Sequence, residues 1–299
     1  MNFIDKLLKN NPHVHIHNDK RIHVEEIICS LINDGRKMLH VVADFDFTLT
    51  MYEKNGCPLP TTFAVVESNE HVTLPDGSLV RDQADQLRLK YHAIEHDVSL
   101  TIQEKIPYMI EWWQKAQSLI LASNLNQSMM RELVYQSKLE LRQGVNEFIT
   151  DLLQSDIPIL IFSAGLGDVI KIFLEKEIPK FKYNHKSSHI VSNFIQYDLN
   201  GNLISFNKKL IHSFNKNEHE IEDTSYYQSI LNRSNVILLG DTLGDVGMVG
   251  GMNNLKQVLK IGFLNGSTPA KLEVYKKVFD IVICDDHTFD IPNLILNAI

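Results

Sequence analysis

Short apolar runs that stop abruptly on polar residues constrain this chain more than any other feature. Met38 to Phe45 is one such run, ending in acidic residues; Ile157 to Phe162 ends at Ser163; Val236 to Leu239 ends at Gly240-Asp241. Gln257 to Phe263 and Asp280 to Cys284 read as two more. Runs this short and this apolar suit strands buried on both faces, the condition of a parallel sheet. Helical patterns separate them: 24–34, stopped by Gly35, then 145–155, another after Ser163, and one between the last two runs. Strands alternating with helices predict an α/β fold, a doubly wound (Rossmann-like) parallel sheet with helices on both faces. Three further β segments fall near 189–192, 194–198 and 203–206, with Asn200-Gly201 marking a hairpin turn.

One block does not fit the alternation. After a less regular stretch with Gly56, Pro58, Pro60, Pro75 and Gly77 come three helical segments, about 80–95, 101–122 and 126–142. The block has no strand pattern of its own and reads as a helical insertion. The expected organisation is a core of residues 20–52 and 140–299 with a helical cap domain at 53–139.

Composition narrows the function classes. The chain has 299 residues, 44% of them hydrophobic, enough for a sizeable core. A net charge of -8 argues against a nucleic-acid polymer as partner, since such surfaces are basic. Any phosphate must therefore be held by local charge. The three cysteines, Cys29, Cys57 and Cys284, have no metal-ligand spacing and are expected to be reduced thiols of a cytoplasmic protein, Cys29 as a core residue. The N-terminus lacks the apolar run of a signal peptide, and no stretch of about 18 apolar residues offers a membrane span.

Active sites of open α/β sheets gather at the carboxyl ends of strands. Asp44-Phe45-Asp46-Phe47-Thr48 places two carboxylates two residues apart beyond the first run. One can attack phosphorus while the other donates a proton to the leaving oxygen; alone, the pattern fits a surface turn equally well. Ser163-Ala164-Gly165 lets a hydroxyl and backbone amides approach a phosphate oxygen, although such tripeptides are mostly tight turns. Lys216 can balance negative charge, as can many lysines that are merely solvated. Asp241 and Asp245, in Gly240-Asp241-Thr242-Leu243-Gly244-Asp245, are hard oxygen ligands of the type Mg²⁺ takes. His13, His15 and His17 share one face of an extended segment, as some zinc ligands do, but lie in a polar tail with no acidic or histidine cluster after them.

Asp-x-Asp-x-Thr, a serine after the second strand, a downstream lysine and Gly-Asp-x-x-x-Asp, in that order, resemble the four motifs of the haloacid dehalogenase-like superfamily. Val24-Glu25-Glu26-Ile27-Ile28-Cys29, Tyr91-His92-Ala93-Ile94-Glu95, Phe162-Ser163-Ala164-Gly165, Leu210-Ile211-His212, Phe214-Asn215-Lys216 and Ile237-Leu238-Leu239-Gly240-Asp241 resemble, more closely, the cytosolic 5'-nucleotidase III family of pyrimidine and 7-methylguanosine-phosphate nucleotidases. The likeness covers about residues 20 to 299.

The resemblance implies a Mg²⁺-dependent 5'-nucleotidase that hydrolyses nucleoside 5'-monophosphates through an aspartyl-phosphate intermediate. Asp44 would be the nucleophile and a metal ligand, and Asp46 the general acid and then base, with its carbonyl on the metal. Asp241 would be a further ligand, with Asp245 supporting the metal shell. Ser163, Ala164 and Lys216 would bind phosphate. Glu95 would bind the base under a cap that excludes water. Trp112 and Trp113 resemble the 7-methylguanosine branch, and a tryptophan face can stack on a cationic purine; they can equally pack the cap interior. A nucleoside monophosphate is the expected partner, and a monomer the expected state. The rivals are a phosphatase of the same superfamily acting on a non-nucleotide ester and an inactive nucleotide-binding protein.

Overall fold

A computed structural model describes residues 2–95, 97, 99–216, 224–250, 252 and 254–299. The central sheet contains β1 (Val14–His15), β2 (Leu39–Ala43), β3 (Ile159–Leu166), β4 (Ser188–Asn193), β5 (Asn235–Gly240), β6 (Gln257–Leu264) and β7 (Ile281–Cys284) in the spatial order β1-β7-β6-β5-β2-β3-β4. All neighbours are parallel except β1, which pairs antiparallel with β7, Val14 opposite Ile283. The alternation of the strands sorts their side chains into two layers. Val41, Ala43, Ile159, Ile161, Ile237 and Leu239 join one buried cluster; Val42, Leu160, Phe162, Val236 and Leu238 join another on the opposite face. The doubly wound α/β core expected from the apolar runs is therefore present.

Helices α1 (Phe3–Asn10) and α2 (Arg21–Asp34) precede β2. Gly35 ends α2 with φ +71°, its amide donating to the Leu31 carbonyl. Cys29 is not a core residue but exposed. Val24, Ile27, Ile28 and Leu31 define the buried stripe of α2, and Cys29 lies off it. The histidine-bearing segment is not a loose tail: Val14 and His15 form the edge strand β1, and His13 pairs with Asp286 at 3.0 Å.

Four helices lie between β2 and the return to the core: α3 (Thr62–Glu67), α4 (Val80–Glu95), α5 (Ile102–Leu121) and α6 (Gln127–Gln136). The expected third helix ends at Gln136 rather than 142, because residues beyond it run back beside the outgoing chain. Thr50 bridges Leu141 in antiparallel sense, Met51 N donates to Glu140 O at 2.9 Å, and Arg142 N donates to Leu49 O at 2.9 Å. The segment also contains a short hairpin, Glu53–Lys54 against Cys57–Pro58. Helices α7 (Val145–Gln154) and α8 (Gly167–Glu177) flank β3. The hairpin at Asn200-Gly201 forms, Gly201 having φ +83°, and pairs Ile195–Tyr197 with Leu203–Phe206 outside the main sheet.

His40, on β2, is 1% exposed, and neither ring nitrogen has a hydrogen-bond partner among the described residues. Burial, with the Arg233 charge nearby, lowers its pKa to about 3 from 6.5. The unfolded chain therefore binds a proton that the folded chain refuses. Full stability is present above about pH 6.5 and is lost as pH falls from there toward 3, by about 2 kcal/mol at pH 5. The thermal midpoint of His40→Leu should fall less between pH 7 and 5 than that of wild type; equal losses would remove His40 from the acid sensitivity.

Candidate active site

The order β5-β2-β3 sets three carboxyl ends side by side. Asp44 follows β2, its amide donating to Leu239 O of β5 at 2.9 Å. Asp241 follows β5; Ser163, expected just past its strand, lies inside β3, which runs on to Leu166 with a register shift after Phe162. Asp44, Asp241 and Asp245 each offer a carboxylate oxygen within 4.8 Å of the others. Lys216 reaches into this group from the loop that follows Phe206. Its ammonium donates to Asp44 Oδ1 and, at 2.8 Å, to Asp245 Oδ1, and all three side chains are nearly inaccessible.

The electrostatics follow from that packing. Burial, then the neighbouring Asp245 and Asp46, raises the Asp44 carboxyl against the pull of Lys216. Burial, then Asp44 and Asp245, lifts Asp241 well above the ordinary carboxylate range. Burial alone would lower Lys216, but Asp245 and Asp44 outweigh it and hold the ammonium charged. Three carboxylates against one ammonium leave a deficit of positive charge, and hard carboxylate oxygens at this spacing fit a divalent cation such as Mg²⁺. Asp245 is the most fully engaged of the three. Its Oδ2 accepts from the amides of Asp241 at 3.1 Å and Thr242 at 2.8 Å and from Thr242 Oγ1 at 2.9 Å. Gly240 is required here, since a Cβ on it would lie 2.5 Å from Asp245 Cβ.

Asp46 stands beside this group without joining it. Its Oδ1 accepts from Thr62 N at 2.9 Å and its Oδ2 from Thr62 Oγ1 at 2.7 Å. Burial raises its pKa to about 6 despite those two hydrogen bonds. Ser163 is buried, and its Oγ accepts from Gly165 N at 3.0 Å. Ala164 is reached from both sides: its carbonyl accepts from Trp113 Nε1 at 2.7 Å and from Asn193 Nδ2 at 2.8 Å. Trp113 thus ties α5 to the candidate phosphate loop. Trp112 stacks on Tyr91, ring centroids 5.9 Å apart, and meets Trp113 edge-on. Glu95, at the end of α4, accepts from the hydroxyl of Ser213, three residues before Lys216. The structure therefore gathers Asp44, Asp46, Ser163, Ala164, Lys216, Asp241 and Asp245, with α5 and α4 reaching the group through Trp113 and Glu95, while His13 and His15 lie at the β1 edge of the sheet.

Four supporting residues gave no signal in the sequence. Arg142 is buried. It donates from Nε to Thr48 O at 2.9 Å, from Nη2 to Phe47 O and Asn265 Oδ1, both at 2.7 Å, and from Nη1 to Asp286 O. Phe47 has φ +62°, uncommon outside glycine, and its carbonyl also accepts from Asn265 Nδ2 at 3.1 Å. Arg142 so fixes the loop that carries Asp44 and Asp46. Tyr275 donates to Asp241 O at 2.7 Å. Asn193 and Thr62 complete the set.

The chain is similar to known proteins along most of its length. The family model for pyrimidine 5'-nucleotidase (UMPH-1) matches residues 47–299. A 7-methylguanosine phosphate-specific 5'-nucleotidase of Mus musculus is 37% identical over 276 residues, covering 92% of this chain and 89% of its own. A crystal structure of cytosolic 5'-nucleotidase IIIB bound to cytidine superposes with a TM-score of 0.86 at 33% identity, covering 100% of this chain and 97% of that one. A substrate-bound phosphoserine phosphatase shares the fold, with a TM-score of 0.51 at 15% identity over 88% of this chain and 98% of the other. With an α/β core and matches of this extent, the chain belongs to the pyrimidine 5'-nucleotidase (UMPH-1) family.

Proposed function

We propose that this protein hydrolyses nucleoside 5'-monophosphates to nucleoside and phosphate in a Mg²⁺-dependent reaction through an aspartyl phosphate on Asp44. The observation that carries the reading is the grouping of Asp44, Asp241 and Asp245, with Lys216 bonded to Asp44 and Asp245 and Asp46 held two residues beyond Asp44. Asp44, Asp241 and the Asp46 carbonyl would hold the ion, with Asp245 bracing them. When bound, the ion supplies positive charge that lets an anionic carboxylate approach an anionic phosphate.

The chain's own residues do the rest. Asp44 attacks phosphorus while Asp46 gives its proton to the departing ribose oxygen, since an alkoxide leaves poorly. Ser163, the Ala164 amide and Lys216 hold the phosphoryl oxygens. Asp46, now a carboxylate, takes a proton from water as that water attacks the acyl phosphate, which frees phosphate and restores Asp44. Phosphate release assayed across nucleoside monophosphates, with and without Mg²⁺, tests the reading. Release from simple sugar phosphates only would favour a non-nucleotide phosphatase, and none at all a binding protein.

The base would sit between the core and residues 53–139, acting as a cap. Glu95 touches the Ser213 loop, and Tyr91, about one helical turn before it on α4, stacks on Trp112 of α5. A carboxylate accepts hydrogen bonds from the cytosine amino group or from the N1–H and amino group of a guanine. The relatives' names, one 7-methylguanosine phosphate-specific and one bound to cytidine, support those two bases, and a cytosolic name among them supports a cytoplasmic place of action. A monomer is proposed as the working unit. Glu95→Ala should lower kcat/KM for CMP and 7-methylguanosine monophosphate by about 10-fold or more, the cost of unpaired polar groups on the base. Hydrolysis of a small generic ester should change little. Equal losses on both substrates would assign Glu95 to the cap structure or the chemistry instead.

A further inference from the structure

Asp46 is gripped by a single residue that neither its sequence position nor the motif predicts. Thr62, the first residue of α3, lies sixteen positions downstream and is fully buried. Its amide and its hydroxyl each donate to a different carboxylate oxygen of Asp46. A carboxylate held at both oxygens cannot rotate about its terminal bond without breaking both contacts. The Thr62 hydroxyl is itself anchored, accepting from Leu166 N at 3.2 Å, at the end of the strand that carries Ser163. The neighbouring backbone is shaped to admit this arrangement. A Cβ on Gly165 would stand 2.1 Å from Thr62 Oγ1 and 2.9 Å from Asp46 Oδ2, so only glycine leaves room. Val65 and Val66, buried one turn further along α3, fix the helix that presents Thr62.

We infer that Thr62 is a positioning residue for the proton donor: it sets the plane of the Asp46 carboxyl so that its proton is delivered to the leaving-group oxygen. This rests on the acid role of Asp46 proposed above. General acids act only within hydrogen-bond reach of the atom they protonate, so a carboxyl free to rotate loses part of its contribution. The loss grows with the basicity of the leaving group. A nucleoside or alkyl alkoxide needs the proton, whereas 4-nitrophenolate departs without it.

The test is kcat/KM, which covers steps up to leaving-group departure, for wild type, Thr62→Val and Thr62→Ser on a nucleoside 5'-monophosphate, phenyl phosphate and 4-nitrophenyl phosphate. Thr62→Val should lose about 10–100-fold on the nucleotide, less on phenyl phosphate, and under about 3-fold on 4-nitrophenyl phosphate. Thr62→Ser, which keeps the hydroxyl, should recover most of the loss. A parallel drop on all three esters, or no drop on any, overturns the inference. Should Thr62→Val fail to fold, Thr62→Ala is read on the same series; failure of both to fold assigns Thr62 to stability and overturns it too. If wild type cleaves the aryl esters but not the nucleotide, the substrate proposal fails while the aryl pair still decides the role of Thr62.

Discussion

Replacing Asp44 by asparagine should reduce steady-state turnover by at least about 10³-fold while the protein stays folded. The amide is nearly isosteric with the carboxylate. Its oxygen can still accept from Lys216, and the Asp44 backbone amide keeps its bond to Leu239 O. What it cannot do is form an acyl phosphate. The fold has no reason to suffer, because burial disfavours the charged form of Asp44 in the first place. The thermal midpoint should match wild type or exceed it, since one of the mutually repelling carboxylates is gone. Measurement of phosphate release beside a thermal melt separates chemistry from folding. Substantial turnover by a well-folded Asp44→Asn protein would sink the covalent mechanism and leave direct attack by water as the alternative.

That result would also show how far one strand end can be read from sequence. The apolar runs announced the parallel sheet because burial on both faces leaves no room for polar alternation; β2 and β5 formed where the runs lay, while β3 starts at Ile159 and runs on past Ser163 to Leu166. Their polar termini pointed to the candidate residues because parallel strands all deliver their carboxyl ends to the same edge. Asp44 and Asp241 were legible for that reason; Ser163 marks the end of its apolar run but not of its strand. The partners that hold them were not. Thr62 and Arg142 act across 16 and about 95 residues of chain, through contacts that exist only once the insertion has left the core and returned beside itself. An arginine after Leu141 looks no different in sequence whether it faces solvent or anchors the Phe47 carbonyl. The early end of α6 has the same origin. Local helical propensity runs on past Gln136, but pairing of Leu141 with Thr50 takes those residues out of the helix. Cys29 was misplaced for a local reason, as an apolar residue one position past the buried stripe is hard to assign from periodicity alone.

Removal of Mg²⁺ should abolish turnover, again by at least about 10³-fold, but leave a folded protein whose thermal midpoint rises when the ion is returned. The argument is one of charge. Asp44, Asp241 and Asp245 lie together with a single ammonium bonded to two of them, so a divalent cation would bring the ionised cluster to neutrality before the phosphate arrives. Lys216 keeps the cluster folded without the ion by satisfying Asp44 and Asp245, but it leaves Asp241 pushed toward protonation. Burial also raises the Asp44 carboxyl to about 7, so binding of the ion must displace protons and affinity rises with pH: the thermal shift at a fixed Mg²⁺ concentration should be larger at pH 8 than at pH 6. At about 100 times the dissociation constant the gain is about 2.7 kcal/mol. Asp241→Asn should shrink that shift and raise the Mg²⁺ concentration needed for activity, because it removes a ligand while leaving the Lys216 contacts in place. Full activity in excess chelator, with metal content measured as nil, would refute the assignment. A Mg²⁺-induced shift unchanged in Asp241→Asn would move the ion away from this cluster.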